Sequence, residues 1–321
     1  MSFTITPVPG QERYERIARE GEAAVRRWRK PPIAPYLFIL PAIALLVFWI
    51  YRPLIETFQL SFYHWNLLPT APKQPAGLSN YTALFHDREL GKAVINTILY
   101  IAAFLVCSVI LPLVIALMSR RVSGRARTIY QALVFVPFLV TPVATSAVWR
   151  WLFDPYDGVI VVVLRKGFGI DIGSVFRSDH GALIAIIIIV GWQMLGFGVL
   201  VMTAGMAGIS PDYAEAASVD GASNSTILRR ITVPLLSPTI LFLALMTILL
   251  SAQWTYPMID VLTQGGPDNA TTNIYYLLYE IAFNNFDAGM AGAAGTVFFL
   301  VFGAIAVLLV KLSDKLAFYD N

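Results

Sequence analysis

The chain has 321 residues, of which 57% are hydrophobic and only 13% charged, with a formal net charge of +3 at neutral pH. Soluble domains carry about a quarter charged residues, so this composition excludes an ordinary soluble fold and points to a bilayer. The basic residues form no concentrated patch, which excludes a nucleic-acid-binding role, and the single cysteine, Cys107, has no partner for a disulfide within the chain.

Residues 1 to 33 are polar, with Tyr14, Ile17, Val25 and Trp28 at intervals that form one apolar helix face among arginines. That spacing predicts a tail helix lying on the inner membrane surface. Pro31, Pro32 and Pro35 separate it from the first apolar run, because proline interrupts helical backbone bonding. Six such runs succeed one another, at about 34–54, 93–118, 129–152, 181–206, 239–262 and 288–312, each near the roughly 20 residues that span about 30 Å of hydrocarbon. The first run is too long and uninterrupted for a signal-peptide core and no small-residue cleavage pattern comes after it, so it reads as a retained helix. The expected fold is an all-α membrane protein with six transmembrane helices. Its expected parts are the tail 1–33, a first transmembrane helix with an outer loop (34–92), a five-helix core (93–312) that holds an inner loop (210–234), and a second tail (313–321).

Lys and Arg concentrate on the cytoplasmic side of membrane proteins. Fifteen of the 23 fall on one side if both termini are cytoplasmic: seven in the N-terminal tail, then Arg120, Arg121, Arg125, Arg127, Arg229, Arg230, Lys311 and Lys315. The outer segment from about 55 to 92 carries the turn-formers Pro69, Pro72, Pro75 and Gly77, with His64 and His86. Those two histidines and His180 lack the clustered partners of a metal site and read as surface residues. Within the apolar runs Asp, Glu and His are missing, with Asp260 near the end of the fifth the closest exception. Proton-driven carriers usually hold an ionisable group near mid-membrane, which disfavours an ion-coupled secondary transporter. Pro41, Pro112, Pro137, Pro142 and Pro257 predict bent helices, suited to a translocation path or to packing kinks. The last run opens with Gly289, Gly292 and Gly295 among alanines, a face that predicts close packing against another helix, in this chain or in a partner.

The inner loop reads Glu215-Ala216-Ala217-Ser218-Val219-Asp220-Gly221-Ala222, then eight residues, then Ile231-Thr232-Val233-Pro234. Ser210 or Pro211 can open a short helix, Gly221 permits a sharp change of direction, and a second short helix ends at Pro234, where the next span begins. This pattern, E-A-A-x-x-D-G-A-x8-I-x-L-P with Val233 in place of Leu, resembles the signature loop of permease subunits of binding-protein-dependent ABC importers. Two further departures are Ser210 ahead of Pro211, where the family has Ile-Pro, and the lack of an aromatic near Leu228. The resemblance implies a type I importer permease core in the last five helices and a coupling helix that docks on a separate ATPase. By that resemblance Glu215, Ala216, Ala217, Asp220, Gly221, Ile231 and Pro234 carry the coupling, with Glu215 at the ATPase surface and Gly221 at the turn.

A second stretch, Leu262-Thr263-Gln264-Gly265-Gly266-Pro267, Ala270-Thr271-Thr272, Tyr275-Tyr276 and Ala282-Phe283, is similar to the sugar-permease branch that includes the maltose and glycerol-3-phosphate importers. Asn80-Tyr81, Leu84-Phe85 and Asn96-Thr97 agree with it. The branch implies these partners: an ATP-binding cassette dimer that binds ATP and magnesium, a second permease subunit, and an extracytoplasmic substrate-binding protein. This chain has no phosphate-binding G-x-x-x-x-G-K-[ST] loop, and no cofactor or metal site of its own is expected. The expected location is the bacterial inner membrane.

Sugars are bound by aromatic faces and by amides or hydroxyls. Trp192 lies where the maltose permease has a substrate-contacting tryptophan, with Gln193 and Phe197 beside it. Ala252 and Thr255 fall at sugar-contacting asparagine positions, a departure that leaves open a different ligand or a pathway with no fixed site in this subunit, and Gln253 and Tyr256 adjoin them. These seven form the expected substrate pathway. For Trp192, Trp254 and Tyr256, helix packing or an interfacial aromatic belt is an equal alternative. A membrane enzyme, the other class considered, needs a nucleophile with a base or a metal cluster, and three scattered histidines do not supply one.

Overall fold

The computed structural model describes residues 16–17, 33–119 and 124–316. The expected tail helix, Arg120 and Arg121 lie outside them, apart from Arg16 and Ile17. By compactness the chain divides into residues 1–56 and 57–321.

In the first unit, helix α1 (Ile33–Leu46) passes through a wide π turn (Val47–Tyr51) into α2 (Arg52–Leu60), which continues past the unit boundary. An exposed Arg52–Glu56 pair at 2.8 Å closes one turn of it. The uninterrupted span runs from Pro35 to Leu60, longer than the apolar run predicts.

The second unit begins at Thr57. A two-residue antiparallel pairing of Tyr63–His64 with Gln74–Pro75 precedes α3 (Ser79–His86) and α4 (Arg88–Leu105). Asp87 starts α4 by accepting from the Glu89 amide at 2.8 Å, which satisfies one of the free donors of the first turn. A wide turn (Val106–Ile110) carries α4 into α5 (Leu111–Ser119), giving one span of 32 residues. Next come α6 (Gly124–Leu139), α7 (Pro142–Leu152), α8 (Val159–Phe168) and α9 (Asp179–Ala207). The chain continues through α10 (Asp212–Val219), α11 (Asn224–Ile227), a wide turn (Leu228–Thr232), α12 (Val233–Leu235) and α13 (Ser237–Leu262). It ends with α14 (Ile274–Tyr279), a wide turn (Glu280–Asn284) and α15 (Ala288–Leu316). Among the described residues five helices are long and apolar enough to cross a membrane, or six if the bent pair α6 and α7 counts as one span.

That bent pair corrects the third expected span, which is no single helix over 129–152: α6 and α7 meet at 95°. Pro137 and Pro142 flank the break and deny it two backbone donors. Proline has a different effect elsewhere. Wide turns precede Pro53, Pro112 and Pro234, and in each the residue just before the proline donates to a carbonyl five positions back: Arg52 to Val47, Leu111 to Val106, Val233 to Leu228. Spreading the turn relieves the clash of the proline ring with the carbonyl four residues earlier.

Helix α9 is the axis of the second unit, packed on α6, the turn Val106–Ile110, α5 and α13. Its glycines permit close approach: a Cβ at Gly191 would lie 2.8 Å from the Cys107 sulfur, and one at Gly196 or Gly198 would strike the backbone carbonyl of Val134 or Ser108. A hydrogen bond of 2.6 Å between Ser108 and Thr247 ties α13 to the same turn. The small-residue face of α15 packs within this chain. A Cβ at Gly292 would sit 2.9 Å from the Thr57 carbonyl, and Gly289 abuts Tyr63.

Candidate functional site

The inner loop is a helical hairpin built from local chemistry. The Asp212 amide donates to Ser210 Oγ at 3.3 Å, and the Ala214 and Glu215 amides donate to the Pro211 carbonyl. Pro211 is thus the start of α10. At the other end the Ala222 amide donates to the Ala217 carbonyl and the Gly221 amide to the Ser218 carbonyl, with Gly221 at φ +80°. These paired bonds around a left-handed residue form a Schellman motif. A Cβ at Gly221 would meet nothing within 4 Å, so glycine serves the dihedral angle there, not the space. Ser223 opens the second arm by accepting from the Thr226 amide at 3.3 Å. Pro234 does not end that arm: helix continues through Leu235, and the break falls at Leu236, before Pro238. The wide turn absorbs Pro234 and moves the interruption one turn on.

The hairpin turns Ala214 and Ala217 partly inward while Glu215, Ala216, Val219 and Asp220 stay exposed, Val219 at 87%. Ile231 and Pro234 are partly covered in the second arm. Its exposed residues therefore combine the apolar Ala216 and Val219 with the charged Asp212, Glu215, Asp220, Arg229 and Arg230. A cavity of about 470 Å3 adjoins the hairpin, walled by Ser119, Thr203, Met206, Tyr213, Glu215 and Thr232.

The seven expected pathway residues do not form one pocket within this chain. Trp192 is 45% exposed on α9 and meets Trp149 edge-on at 5.8 Å, and Gln253 is exposed on α13. Gln193 is buried and donates through Nε2 to the carbonyls of Pro137 (3.1 Å) and Val140 (3.2 Å) and to Thr145 Oγ1 (3.1 Å). It therefore serves the carbonyls left open at the α6–α7 break. Phe197 stacks on Phe138 at 4.9 Å. Ala252 and Thr255 are buried and accept from Asn273 Nδ2 at 2.9 and 2.6 Å. Tyr256 joins Tyr275 and Tyr279, at 5.5 and 5.3 Å between rings, on a cavity of about 410 Å3 that α15 also lines.

Sequence reasoning missed what holds the loop between α13 and α14. Thr271, Thr272 and Asn273 are fully buried. Asn96 Nδ2 donates to the Asn269 and Thr272 carbonyls at 3.1 and 2.9 Å, and the Tyr100 hydroxyl to the Thr271 carbonyl at 3.0 Å. Thr97 Oγ1 accepts from the Ile274 amide at 3.1 Å, while Asn273 Oδ1 accepts from the Tyr276 amide at 2.7 Å and so caps α14. The visible signal is Asn96-Thr97, two polar residues inside an otherwise apolar run. The three histidines are exposed, with His64 bonded to Ser79 and His86 to the Thr82 carbonyl.

Residues 108–318 match the family model described as "Binding-protein-dependent transport system inner membrane component". The chain belongs to that family. It is accordingly a multi-pass protein of the inner membrane and an ABC transporter permease of the sugar-transport branch. A probable ABC transporter permease of Pyrococcus horikoshii is 32% identical over 88% of this chain and 96% of its own length. The multiple sugar-binding transport system permease of Streptococcus mutans is 28% identical over 87% of this chain and 95% of its own. In fold, the chain is similar to a subunit of a bacterial ABC transporter that imports the acidic polysaccharide alginate, with a TM-score of 0.76 at 24% identity over 92% of this chain and 99% of that one.

Proposed function

We propose that this permease carries a carbohydrate into the cytoplasm by alternating access, as one of two permease subunits joined to a separate ATPase dimer and supplied by an extracytoplasmic binding protein. The observation that carries the reading is the hairpin 210–235. Its backbone bonds are satisfied internally, yet it leaves Ala216 and Val219 bare beside Glu215 and Asp220. A rigid, small apolar spot with a charged rim has the composition of a protein contact. The ATPase holds ATP and magnesium; this chain supplies the lever. Both termini and the hairpin face the cytoplasm in this reading, which agrees with the basic residues at that end. A carbohydrate cargo agrees with the named sugar transport of the Streptococcus mutans relative.

The exposed ring of Trp192 and the exposed amide of Gln253 are the pathway residues free to meet cargo, and they complete a lining with the second permease. The test is uptake in proteoliposomes holding the whole complex. Glu215→Lys should leave the complex assembled while ATP-driven uptake and substrate-stimulated ATP hydrolysis fall at least about tenfold, the size of losing one interfacial charge contact. Full coupled activity in that variant would refute the role of the hairpin.

A further inference from the structure

At the end of the second unit opposite the hairpin lies a polar cavity of about 430 Å3, set between the C-terminal end of α7, the segment before α9 and the C-terminal end of α13. That volume falls in the range of small-molecule sites, about 300–1000 Å3. Arg150 and Arg177 line it, with Phe153, Phe176 and the hydroxyl of Thr263. Asp154 is the one carboxylate in its wall among the described residues. Its Oδ1 accepts from the Tyr156 and Asp157 amides at 2.9 and 3.1 Å, and those bonds hold its pKa below the ordinary carboxylate value. Those bonds keep Asp154 ionised and tie its Oδ1 to its own turn, so the wall carries the two guanidiniums against one carboxylate.

Arg150 is oriented: its Nη1 donates to the Val261 carbonyl at 3.3 Å, at the negative end of the α13 dipole. The remaining four donors of its guanidinium stay available. Behind the wall, Arg165 donates to the Pro155 carbonyl at 3.1 Å and to Asp171 at 3.4 Å, which adds a third guanidinium to the same segment. Phe153, stacked on Trp149 at 5.5 Å, and Phe176, edge to face with it at 5.6 Å, form the aromatic part of the wall. Two guanidiniums and two aromatic rings in the wall of one cavity match a group that is planar or tetrahedral, anionic and attached to a ring with C–H faces.

We propose that this cavity is an entry subsite for an anionic carbohydrate, in which Arg150 and Arg177 hold the sugar's carboxylate or phosphate while Phe153 and Phe176 face its ring. The inference deepens the carbohydrate reading above and rests on it. It adds a selectivity element to the permease itself, at the mouth and apart from Trp192.

The test uses the purified whole complex in nanodiscs, with sodium glucuronate, glucose 6-phosphate and glucose as probes, followed by saturation-transfer NMR. The expected result is saturable binding of both charged probes and none of glucose, weakened about tenfold in Arg177→Gln and further in Arg150→Gln/Arg177→Gln. Arg150→Lys, which keeps a charge beside the Val261 carbonyl, should bind nearly as wild type and so controls for a disturbed end of α13. Nanodiscs of zwitterionic and of anionic lipid separate a sugar site from a lipid-headgroup site. Loss of probe binding in anionic lipid alone assigns the arginines to headgroups and overturns the proposal. Equal binding of the probes by wild type and the double variant overturns it too. ATP-driven sugar uptake by wild type without any binding of the charged probes refutes this subsite and leaves the importer reading standing. Probe binding without any ATP-driven sugar uptake does the reverse.

Discussion

The two loops at the ends of α13 are opposites in construction. The one before it, residues 208–236, bonds almost wholly to itself and presents Val219 and Glu215 outward. The one after it, residues 263–273, is threaded into the protein, with Thr271, Thr272 and Asn273 fully buried and donors arriving from Asn96 and Tyr100 on α4. A loop buried in this way needs a bond for every polar group, because an unpaired one costs about 1–3 kcal/mol. A loop left out in solvent needs only internal rigidity, and its exposed face is free for a partner. In the proposed reading the first loop is the transmitting end, while the second ties α4, α13 and α14 to one another through its hydrogen bonds.

This contrast can be broken from either end. The largest effect is expected from Glu215→Lys: coupled ATP hydrolysis falls at least about tenfold while the melting temperature of the detergent-solubilised complex stays unchanged. A matching fall in melting temperature would show that the hairpin is structural after all. Asn273→Ala should do the opposite. It strips donors from the Ala252 carbonyl and Thr255 and the cap from the Tyr276 amide, so a loss of about 2–4 kcal/mol is expected, read as a lowered melting temperature. Gln193→Leu sharpens the point at the α6–α7 break: it leaves the Pro137 and Val140 carbonyls without this donor and should cost about 1–3 kcal/mol, by the same measurement. Gly221→Ala forces a side chain into φ +80° at a cost of about 1 kcal/mol. It should slow uptake a few-fold, and Gly221→Asn should be milder.

The smallest effect concerns pH. Glu280 lies just after α14, its Oε2 is buried without a hydrogen-bond partner, and burial, then the charge of Glu89, raises its pKa from 4.5 to about 7. The folded protein therefore holds this proton more tightly than the unfolded chain. Stability from this group is complete below pH 4.5 and declines as the pH rises to about 7. Melting curves should show that decline flattened in Glu280→Gln; parallel curves for the two proteins would remove Glu280 from the account.

Much of this was legible in the sequence, for identifiable reasons. Apolar run length marks the spans, and the spacing of Glu215, Gly221 and Pro234 marks the hairpin, because caps and left-handed turns are written within a few residues. The 95° break between α6 and α7 is hidden: Pro137 and Pro142 announce a bend, but Gln193, more than fifty residues away, satisfies the open carbonyls. Asn96 and Asn273 read as polar residues without a partner nearby in the chain, and their bonds to distant segments appear only once α4 lies beside α13. Helix α8 is not legible because Val159 to Leu164 reads as readily as a strand, and its end is set by Gly169 at φ +67°.

The claim that the hairpin is the contact with the ATPase is tested most directly by cysteine labelling. In a Cys107→Ala background, a Val219→Cys thiol should react quickly with a maleimide in the permease alone and at least about tenfold more slowly once the ATPase dimer is bound, since a protein contact excludes solvent from its centre. A reporter at Asp157→Cys, on the opposite end, should keep its rate. Equal labelling of Val219→Cys with and without the ATPase would contradict the account.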